Sequence, residues 1–319
     1  NMLSVSIAAA ARFHVLDLAR ELAGLGHDVT FYSYLPNRRA AQFGLSVTSH
    51  RSLFAQVAPL VLAERYVPAA MPRLRQQLLC SSLDRLVRRA LKPCDAFIFM
   101  SGMYLEAAAE ARHKFGAKLL LERGNQHILE QMKILGDVPK ATMPTDYMVE
   151  RELAGYELAD HIMVPSGHVY KSFALYPTLK DKLILNPYGV DIDQFPQVKK
   201  QRQLDAVTFC MAGTWCRRKG CDVLVDAVRS VDDVRILHVG TIADLEFPSD
   251  NRFVHRPRVD QRQLSEIYRE CDAFVLPSRE DGFGMVLAQA LAVGLPVVCT
   301  DRTGGPDIRH SEALSDRVV

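Results

Sequence analysis

Two glycines flanking a phenylalanine, at residues 282–284, stand where a buried strand is predicted to pass into a helix. The apolar run 273–276 predicts the strand, and the apolar spacing over 285–293, followed by Gly294, predicts the helix. A glycine loop at the start of a helix presents unpaired backbone N–H groups and the positive end of the helix dipole. The sequence therefore predicts an anion-binding loop at this point.

Two polar side chains accompany this loop and extend its chemistry beyond an anion. Asp281 directly precedes the first glycine, and Gln289 lies on the predicted helix eight residues later. A carboxylate and an amide can both hold hydroxyl groups. An anion site with neighbouring hydroxyl sites is what a nucleotide sugar requires. The residues predicted to contact that ligand along the loop and the helix start are Gly282, Phe283, Gly284, Met285 and Val286.

A second candidate segment, residues 213–220, is rich in positive charge. It follows the predicted strand 207–211 and so stands at the carboxyl end of a parallel sheet, where open α/β folds bind their ligands. We expect a basic loop at this place to hold an anionic ligand. A solvated basic loop is the alternative interpretation.

Predicted strands and helices alternate along the whole chain, which is typical of doubly wound parallel sheets. Beyond those already given, strands are predicted at 3–7, 29–32, 96–100, 118–121, 162–164, 235–239, 253–255 and 295–299. A segment with two prolines and a glycine, 186–196, separates two α/β halves. The sequence therefore predicts a first domain over 1–186, a linker over 187–198 and a second domain over 199–319.

Composition limits the classes of protein that this chain can belong to. Its 319 residues suit two α/β domains better than one core, and 48% hydrophobic with 24% charged residues is typical of a globular protein. A net charge of +2 gives no reason to expect nucleic acid as a partner, and no apolar run is long enough to span a bilayer. The seven cysteines are expected to be reduced thiols of a cytoplasmic protein. Cys216 and Cys221 have no partners at zinc spacing, so no metal site is predicted.

The segment 277–289 resembles the signature of retaining glycosyltransferases of family four. Those proteins read Pro-Ser, a short spacer, Glu-Gly-Phe-Gly, and a second Glu eight residues after the first; this chain has Asp281 and Gln289 in the two glutamate positions. The resemblance implies the GT-B fold: two Rossmann-like, doubly wound parallel-sheet domains facing a cleft, the second one incomplete at its C-terminus. Further matching segments are Gly26-His27-Asp28-Val29, Ala159-Asp160, Val164-Pro165-Ser166, Gly189-Val190-Asp191 and Arg218-Lys219-Gly220.

The resemblance also assigns roles to individual residues. It implies that Asp281 contacts the donor sugar, that Gln289 holds the ribose, and that Lys219 binds the diphosphate. In the family an arginine follows the glycine of the basic segment, whereas this chain has Thr214 after Gly213. Arg218 is therefore the first candidate for the missing charge, and Arg217 is the second.

Two more residues are implicated through the family. A histidine after a first-domain strand lies near the donor sugar there, which implies a role for His127, with Glu122 and Arg123 as alternatives. Arg258 stands where relatives contact the base. No metal or other cofactor is implied, because cationic side chains and a helix dipole take the place of a metal.

The implied function is retaining transfer of a hexosyl group from a nucleotide sugar, by family habit a UDP-sugar, to a saccharide or lipid-linked saccharide in polysaccharide or glycolipid biosynthesis. Because Asp281, Gln289 and Thr214 differ from the family pattern, a non-catalytic nucleotide-sugar-binding partner of a glycosyltransferase is the alternative. A nicotinamide-dependent oxidoreductase is not favoured, since no Gly-x-Gly-x-x-Gly follows the first strand. The basic stretch 65–92 is interpreted as a surface helix, with peripheral contact to the inner face of a membrane as the alternative.

Overall fold

The computed structural model describes residues 1–64, 71–197, 206–311 and 313–319, which form two compact units. The first unit comprises 1–123, 144–164 and 176–184, and the second comprises 124–143, 165–175 and 185–319. Residues 198–205, where the predicted linker ends and the predicted second domain begins, lie outside the described part. The domain boundaries given by the sequence stay a prediction.

The first unit is built on a seven-stranded sheet. Its strands are β1 (Ser4–Ala8), β2 (Asp28–Ser33), β3 (His50–Ser52), β4 (Ala96–Met100), β5 (Lys118–Glu122), β6 (His161–Val164) and β7 (Leu183–Leu185). The strand order is β3-β2-β1-β4-β5-β6-β7, and the pairs from β3 to β6 are parallel. The first six strands thus follow the Rossmann order.

Helices alternate with these strands along the chain. They are α1 (His14–Gly24), α2 (Asn37–Ala41), α3 (Phe54–Glu64), α4 (Pro72–Ala90), α5 (Leu105–Phe115), α6 (Ile128–Gly136), α7 (Asp146–Leu158), α8 (Gly167–Ala174) and α9 (Pro177–Lys180). α1 packs Val15, Leu16 and Ala19 against Ile7 and Phe31 of the sheet, which removes apolar surface from water. Of these helices, α6 and α8 cluster with the second unit.

The second unit is built on a five-stranded parallel sheet. Its strands are β8 (Val207–Ala212), β9 (Val234–Val239), β10 (Phe253–Arg256), β11 (Ala273–Leu276) and β12 (Val297–Cys299), in the order β10-β9-β8-β11-β12. Its remaining helices are α10 (Cys221–Arg229), α11 (Gln261–Glu270), α12 (Met285–Val293) and α13 (Gly305–Arg309). One apolar cluster joins Phe274 to Leu287 of α12, and another joins Trp215 to Leu224 of α10. Both faces of the sheet are therefore covered, as parallel strands require.

Most predicted elements are confirmed, and the differences have local causes. The strands around the glycine loop and helix α12 have the predicted residues, but β12 begins at Val297 rather than at Leu295. The N–H of Leu295 instead donates to Ala290 O at 3.0 Å and closes the end of α12. Strands β3 and β7 were not predicted, because three residues are too few to show an alternating pattern.

The basic stretch 65–92 is only partly described, since residues 65–70 lie outside the described part. Its remainder is mostly helix α4, which buries Leu83 and Val87 and exposes Leu74 and Leu78. The described residues thus form the surface helix that the sequence predicts, with part of its apolar side in the core and part exposed. No helix among them combines the length and the apolar character needed to cross a membrane.

Candidate functional site

The glycine loop joins β11 to α12, as predicted. Gly284 is the N-cap of α12 and has φ of 76°, a left-handed conformation that glycine adopts without strain. Within the described part of the chain, the N–H groups of Gly282, Phe283 and Gly284 have no hydrogen-bond partner. Three unpaired donors at the positive end of a helix form an anion site.

Close backbone contact fixes residue 282 as glycine. A Cβ atom built at Gly282 would lie 1.5 Å from the carbonyl oxygen of Gly124 and 3.2 Å from Cα of Asn125. The φ angle of Gly282 is not in the left-handed region, so space and not conformation demands glycine here. The loop is therefore packed tightly on one side, while its N–H groups remain unpaired.

The phenylalanine between the two glycines has a packing role. Phe283 is buried, its ring lies 5.5 Å from that of Tyr188, and a Cβ at Gly304 would be 2.3 Å from the Phe283 ring. The N–H of Gly304 also donates to Phe283 O at 2.8 Å. Phe283 thus holds the loop in place through its buried ring, and its backbone N–H is the part available to a ligand.

The basic segment lies directly against the glycine loop. Arg217–Lys219 form a 3-10 turn that ends at Gly220, where φ is 70°. A Cβ at Gly220 would be 1.9 Å from the carbonyl oxygen of Pro277, so only glycine allows this approach. The N–H of Arg279 donates to Arg218 O at 3.0 Å and ties the two segments together. The structure therefore brings the two predicted phosphate-binding segments into contact.

Ion pairs link the cations of one segment to carboxylates of the other. Lys219 pairs with Asp281, and both side chains are only 14% exposed. Arg218 pairs with the carboxylate of Glu280 at 3.0 Å, and Glu280 is fully buried. Both cations are thus placed beside the glycine loop by the acidic residues Glu280 and Asp281 of the segment 277–289.

The arginine of the 277–289 segment fixes the start of α10. The guanidinium of Arg279 donates to both carboxylate oxygens of Asp222, at 2.5 and 2.9 Å. Burial disfavours the ionised carboxylate of Asp222, but the hydrogen bonds and charge of Arg279 together hold its pKa below the usual value. Asp222 therefore remains charged at neutral pH and retains Arg279.

Gln289 lies on the inner side of α12 and is 6% exposed. Its Oε1 atom has no hydrogen-bond partner within the described residues. An unpaired buried acceptor costs about 1–3 kcal/mol, so it is available to a donor from a ligand or a water molecule. A hydroxyl donor on a ligand would satisfy it, in keeping with the role predicted from the sequence.

The start of the basic segment is shaped by its neighbours. Gly213 has φ of 131°, its N–H donates to Val239 O at 2.9 Å, and its carbonyl accepts from Nε2 of His238 at 2.9 Å. The hydroxyls of Thr214 and Thr241 are 3.3 Å apart. Gly213 is thus held by backbone and histidine contacts, while Thr214 provides a hydroxyl where relatives have an arginine.

His127 has a clear local role. It is 1% exposed and caps helix α6, because its Nδ1 atom accepts from the N–H of Leu129 at 3.3 Å. Its backbone N–H donates to the hydroxyl of Ser172 at 2.9 Å. Its ring lies 5.1 Å from that of Phe173. A catalytic role for His127 stays a prediction.

The two alternatives to His127 are engaged in buried pairs of the first unit. Glu122 contacts Nε2 of His14 at 2.9 Å, and Arg123 pairs with Glu152 at 2.7 Å. Arg258 is exposed after β10 and has no hydrogen bond or ion pair with another described residue. The structure thus joins Arg218, Lys219, Asp281 and the glycine loop, whereas Arg258 remains apart from their contacts.

Sequence interpretation overlooked three side chains that touch this site. Glu280 holds Arg218, and Ser166 and His168 contact the backbone of the glycine loop. The position of Glu280 between Arg279 and Asp281 was a local signal; the other two lie more than 110 residues away in sequence. Among the described residues, no group of three potential metal ligands occurs, and metal independence stays a prediction.

Comparisons with known proteins identify similarity to glycosyltransferases. Residues 205–316 match the protein-family model described as Glycosyl transferases group 1. D-inositol 3-phosphate glycosyltransferase of Xylanimonas cellulosilytica is 32% identical over an alignment of 151 residues that covers 39% of this chain. The match spans 36% of that relative's length, so the activity of the whole protein is a matter for proposal.

Solved structures show the fold. Sucrose-phosphate synthase from Thermosynechococcus elongatus matches 99% of this chain and 86% of its own, with a TM-score of 0.73 and 17% identity. Anabaena Alr3699/HepE in complex with UDP matches 96% of this chain and 83% of its own, with a TM-score of 0.64 and 12% identity. Identities this low show the fold alone. The predicted fold class, α/β with two parallel-sheet domains of the GT-B type, is confirmed.

Proposed function

We propose that this protein is a retaining glycosyltransferase that moves a hexosyl group from a nucleotide sugar to a saccharide or lipid-linked saccharide acceptor. The observation that carries the proposal is the set of unpaired N–H groups at Gly282–Gly284 directly beside Lys219. Helix-start donors together with a cation are suited to a diphosphate. The match of residues 205–316 to the glycosyl transferases group 1 model supports the same assignment.

In this proposal each residue of the donor site has a distinct task. The diphosphate binds the loop N–H groups, Lys219 and Arg218; the ribose binds Gln289; and Asp281 orients the sugar. Asp281 now pairs with Lys219, so a diphosphate that draws Lys219 away leaves the Asp281 carboxylate for sugar hydroxyls. The donor base is proposed to be uracil, because the similar Anabaena structure contains UDP.

The proposed chemistry needs no basic side chain to remove the proton of the acceptor, because the departing diphosphate takes it. The acceptor oxygen forms a bond to the anomeric carbon on the face from which the diphosphate oxygen leaves, and that oxygen takes the acceptor proton. Positive charge at Lys219 and Arg218 and the dipole of α12 stabilise the departing diphosphate. We propose that no metal is needed, since these groups supply the charge.

Location and partners are part of the proposal. Six of the seven thiols are buried and all seven are free, which suits a reducing cytoplasm. The exposed Leu74 and Leu78 stand on α4 beside Arg73 and Arg75, a combination that suits peripheral contact with an anionic membrane. Co-sedimentation with anionic vesicles, and its loss in a Leu74→Ser, Leu78→Ser double variant, tests that contact.

The direct test is an activity assay with radiolabelled UDP-sugars, with and without a panel of saccharide acceptors. We expect turnover of the donor, and EDTA should leave its rate unchanged. The variant Asp281→Asn should lower this rate at least tenfold. NMR should show that the product keeps the anomeric configuration of the donor. Binding of UDP without any turnover would instead establish the alternative, a non-catalytic nucleotide-sugar-binding partner. That alternative is favoured by Thr214, whose hydroxyl contacts Thr241 where a cation is usual.

A further inference from the structure

The start of helix α8 touches the glycine loop in an unusual way. Ser166 is the N-cap of α8, yet its side chain makes no capping hydrogen bond to the helix. Its Oγ atom lies 2.5 Å from the carbonyl oxygen of Gly282, and Ser166 is fully buried. Only the hydroxyl carries a hydrogen in that pair, so Ser166 donates to Gly282.

A second residue of the same helix start binds the preceding carbonyl. Nε2 of His168 lies 2.7 Å from the carbonyl oxygen of Asp281. A carbonyl cannot donate, so Nε2 carries the hydrogen. Burial lowers the pKa of His168, whereas the bond to Asp281 and the carboxylates of Asp307, Asp281 and Glu280 oppose that shift. Two consecutive carbonyls of the glycine loop are therefore bound by two side chains of α8.

The capping that Ser166 does not provide comes from elsewhere. The N–H of Gly167 donates to the carboxylate of Asp307 at 2.7 Å, in the first turn of α13. Since a serine at this position normally caps its own helix, its use on Gly282 instead indicates a role outside α8. Asp307 leaves the Ser166 hydroxyl available for that role.

The consequence for the loop follows from peptide geometry. A trans peptide is planar, and its C=O and N–H groups point in opposite directions. Binding the carbonyl of Asp281 on one side directs the N–H of Gly282 to the other, and binding the carbonyl of Gly282 does the same for the N–H of Phe283. These are two of the three unpaired N–H groups of the donor site.

We infer that Ser166 and His168 are positioning residues that direct the Gly282 and Phe283 N–H groups at the diphosphate of the donor. This inference rests on the proposed function, because it names the residues that shape its phosphate site. The affinity for the diphosphate part of the ligand should therefore depend on Ser166 and His168, whereas the affinity for the nucleoside part should not.

The test compares ligands that differ only in phosphate. Calorimetry measures the affinities of UDP, uridine, GDP and guanosine for the wild type and for Ser166→Ala, His168→Leu and His168→Gln. We expect Ser166→Ala and His168→Leu each to weaken the diphosphate roughly five- to tenfold, with the nucleoside unchanged. The amide of His168→Gln donates from nearly the position of Nε2 and should restore most of the affinity.

The matched control is a buried serine elsewhere in the same unit. Ser265→Ala removes another buried serine hydroxyl of the same unit, on α11, and should change neither affinity. Equal weakening of UDP and uridine would show a general structural effect and overturn the positioning role, as would unchanged UDP binding in both variants. A wild type that binds neither diphosphate would overturn the proposed function itself, and the inference with it.

Discussion

Replacing Gly282 with alanine is expected to damage the donor site more than any other change of a single methyl group. The added Cβ would lie 1.5 Å from the carbonyl oxygen of Gly124, whereas non-bonded atoms pack at about 3.5 Å, so the loop must move by about 2 Å. Forcing a methyl group into packed backbone costs about 1–3 kcal/mol. A displacement of that size breaks the hydrogen bonds that the loop N–H groups would make to a charged ligand, each worth about 1.5–3 kcal/mol.

Two measurements on Gly282→Ala separate these effects. For a unit of this size we expect the melting temperature to fall by about 2–10 °C, and calorimetry should show UDP bound about 100-fold more weakly, because charged hydrogen bonds are lost. Gly136→Ala is the matched control: it adds the same methyl group at the end of α6, where no atom lies within 4 Å. An unchanged melting temperature and unchanged UDP affinity in Gly282→Ala would refute the packing of the loop against Gly124.

Three further predictions address the charges and buried polar groups. Lys219→Met should weaken UDP about three- to tenfold in calorimetry, because a charged hydrogen bond is lost whose net gain the pair with Asp281 already reduces, and leave uridine unaffected; equal losses for both ligands would contradict it. Gln289→Met should raise the free energy of unfolding in urea by about 1 kcal/mol, since it removes an unpaired buried acceptor, while uridine binds more weakly; a destabilised variant would mean that Oε1 is satisfied in the folded protein. Burial lowers the pKa of His50, His168 and His238, so the folded protein binds these protons less well than the unfolded chain. The melting temperature should therefore fall as pH drops below about 6.5, and a melting temperature unchanged between pH 7.5 and 5.5 would contradict this.

The parts of the fold that sequence predicts well are those with a strong local pattern. β11 is buried at all four positions, so it reads as one apolar run, and Gly284 and Gly294 mark both ends of α12. The Gly282–Gly284 loop could be found for the same reason. His50–Ser52 and Leu183–Leu185 could not, because these short strands depend on their neighbours in the sheet rather than on their own composition.

The parts of the site that sequence could not predict are contacts between distant segments. Lys219 and Asp281 were each assigned a role, but no local pattern indicates that they pair with each other. Ser166 lay in a segment noted only for its resemblance to the family, and its hydrogen bond to Gly282 spans 116 residues. Such contacts depend on how the loops close over the sheet, and a single sequence carries little signal for that.

The balance of charge in this site indicates why the geometry of the N–H groups should matter more than the number of basic residues. The two segments contain four cations, Arg217, Arg218, Lys219 and Arg279, and two carboxylates, Glu280 and Asp281; with Asp222 at the start of α10 the net charge is +1. Most of the positive charge is already neutralised by pairs at 3.4 Å or less. A diphosphate must compete with Asp281 for Lys219, which reduces the net gain from that contact. The unpaired N–H groups have no such competitor, so their orientation is expected to decide the affinity for the diphosphate.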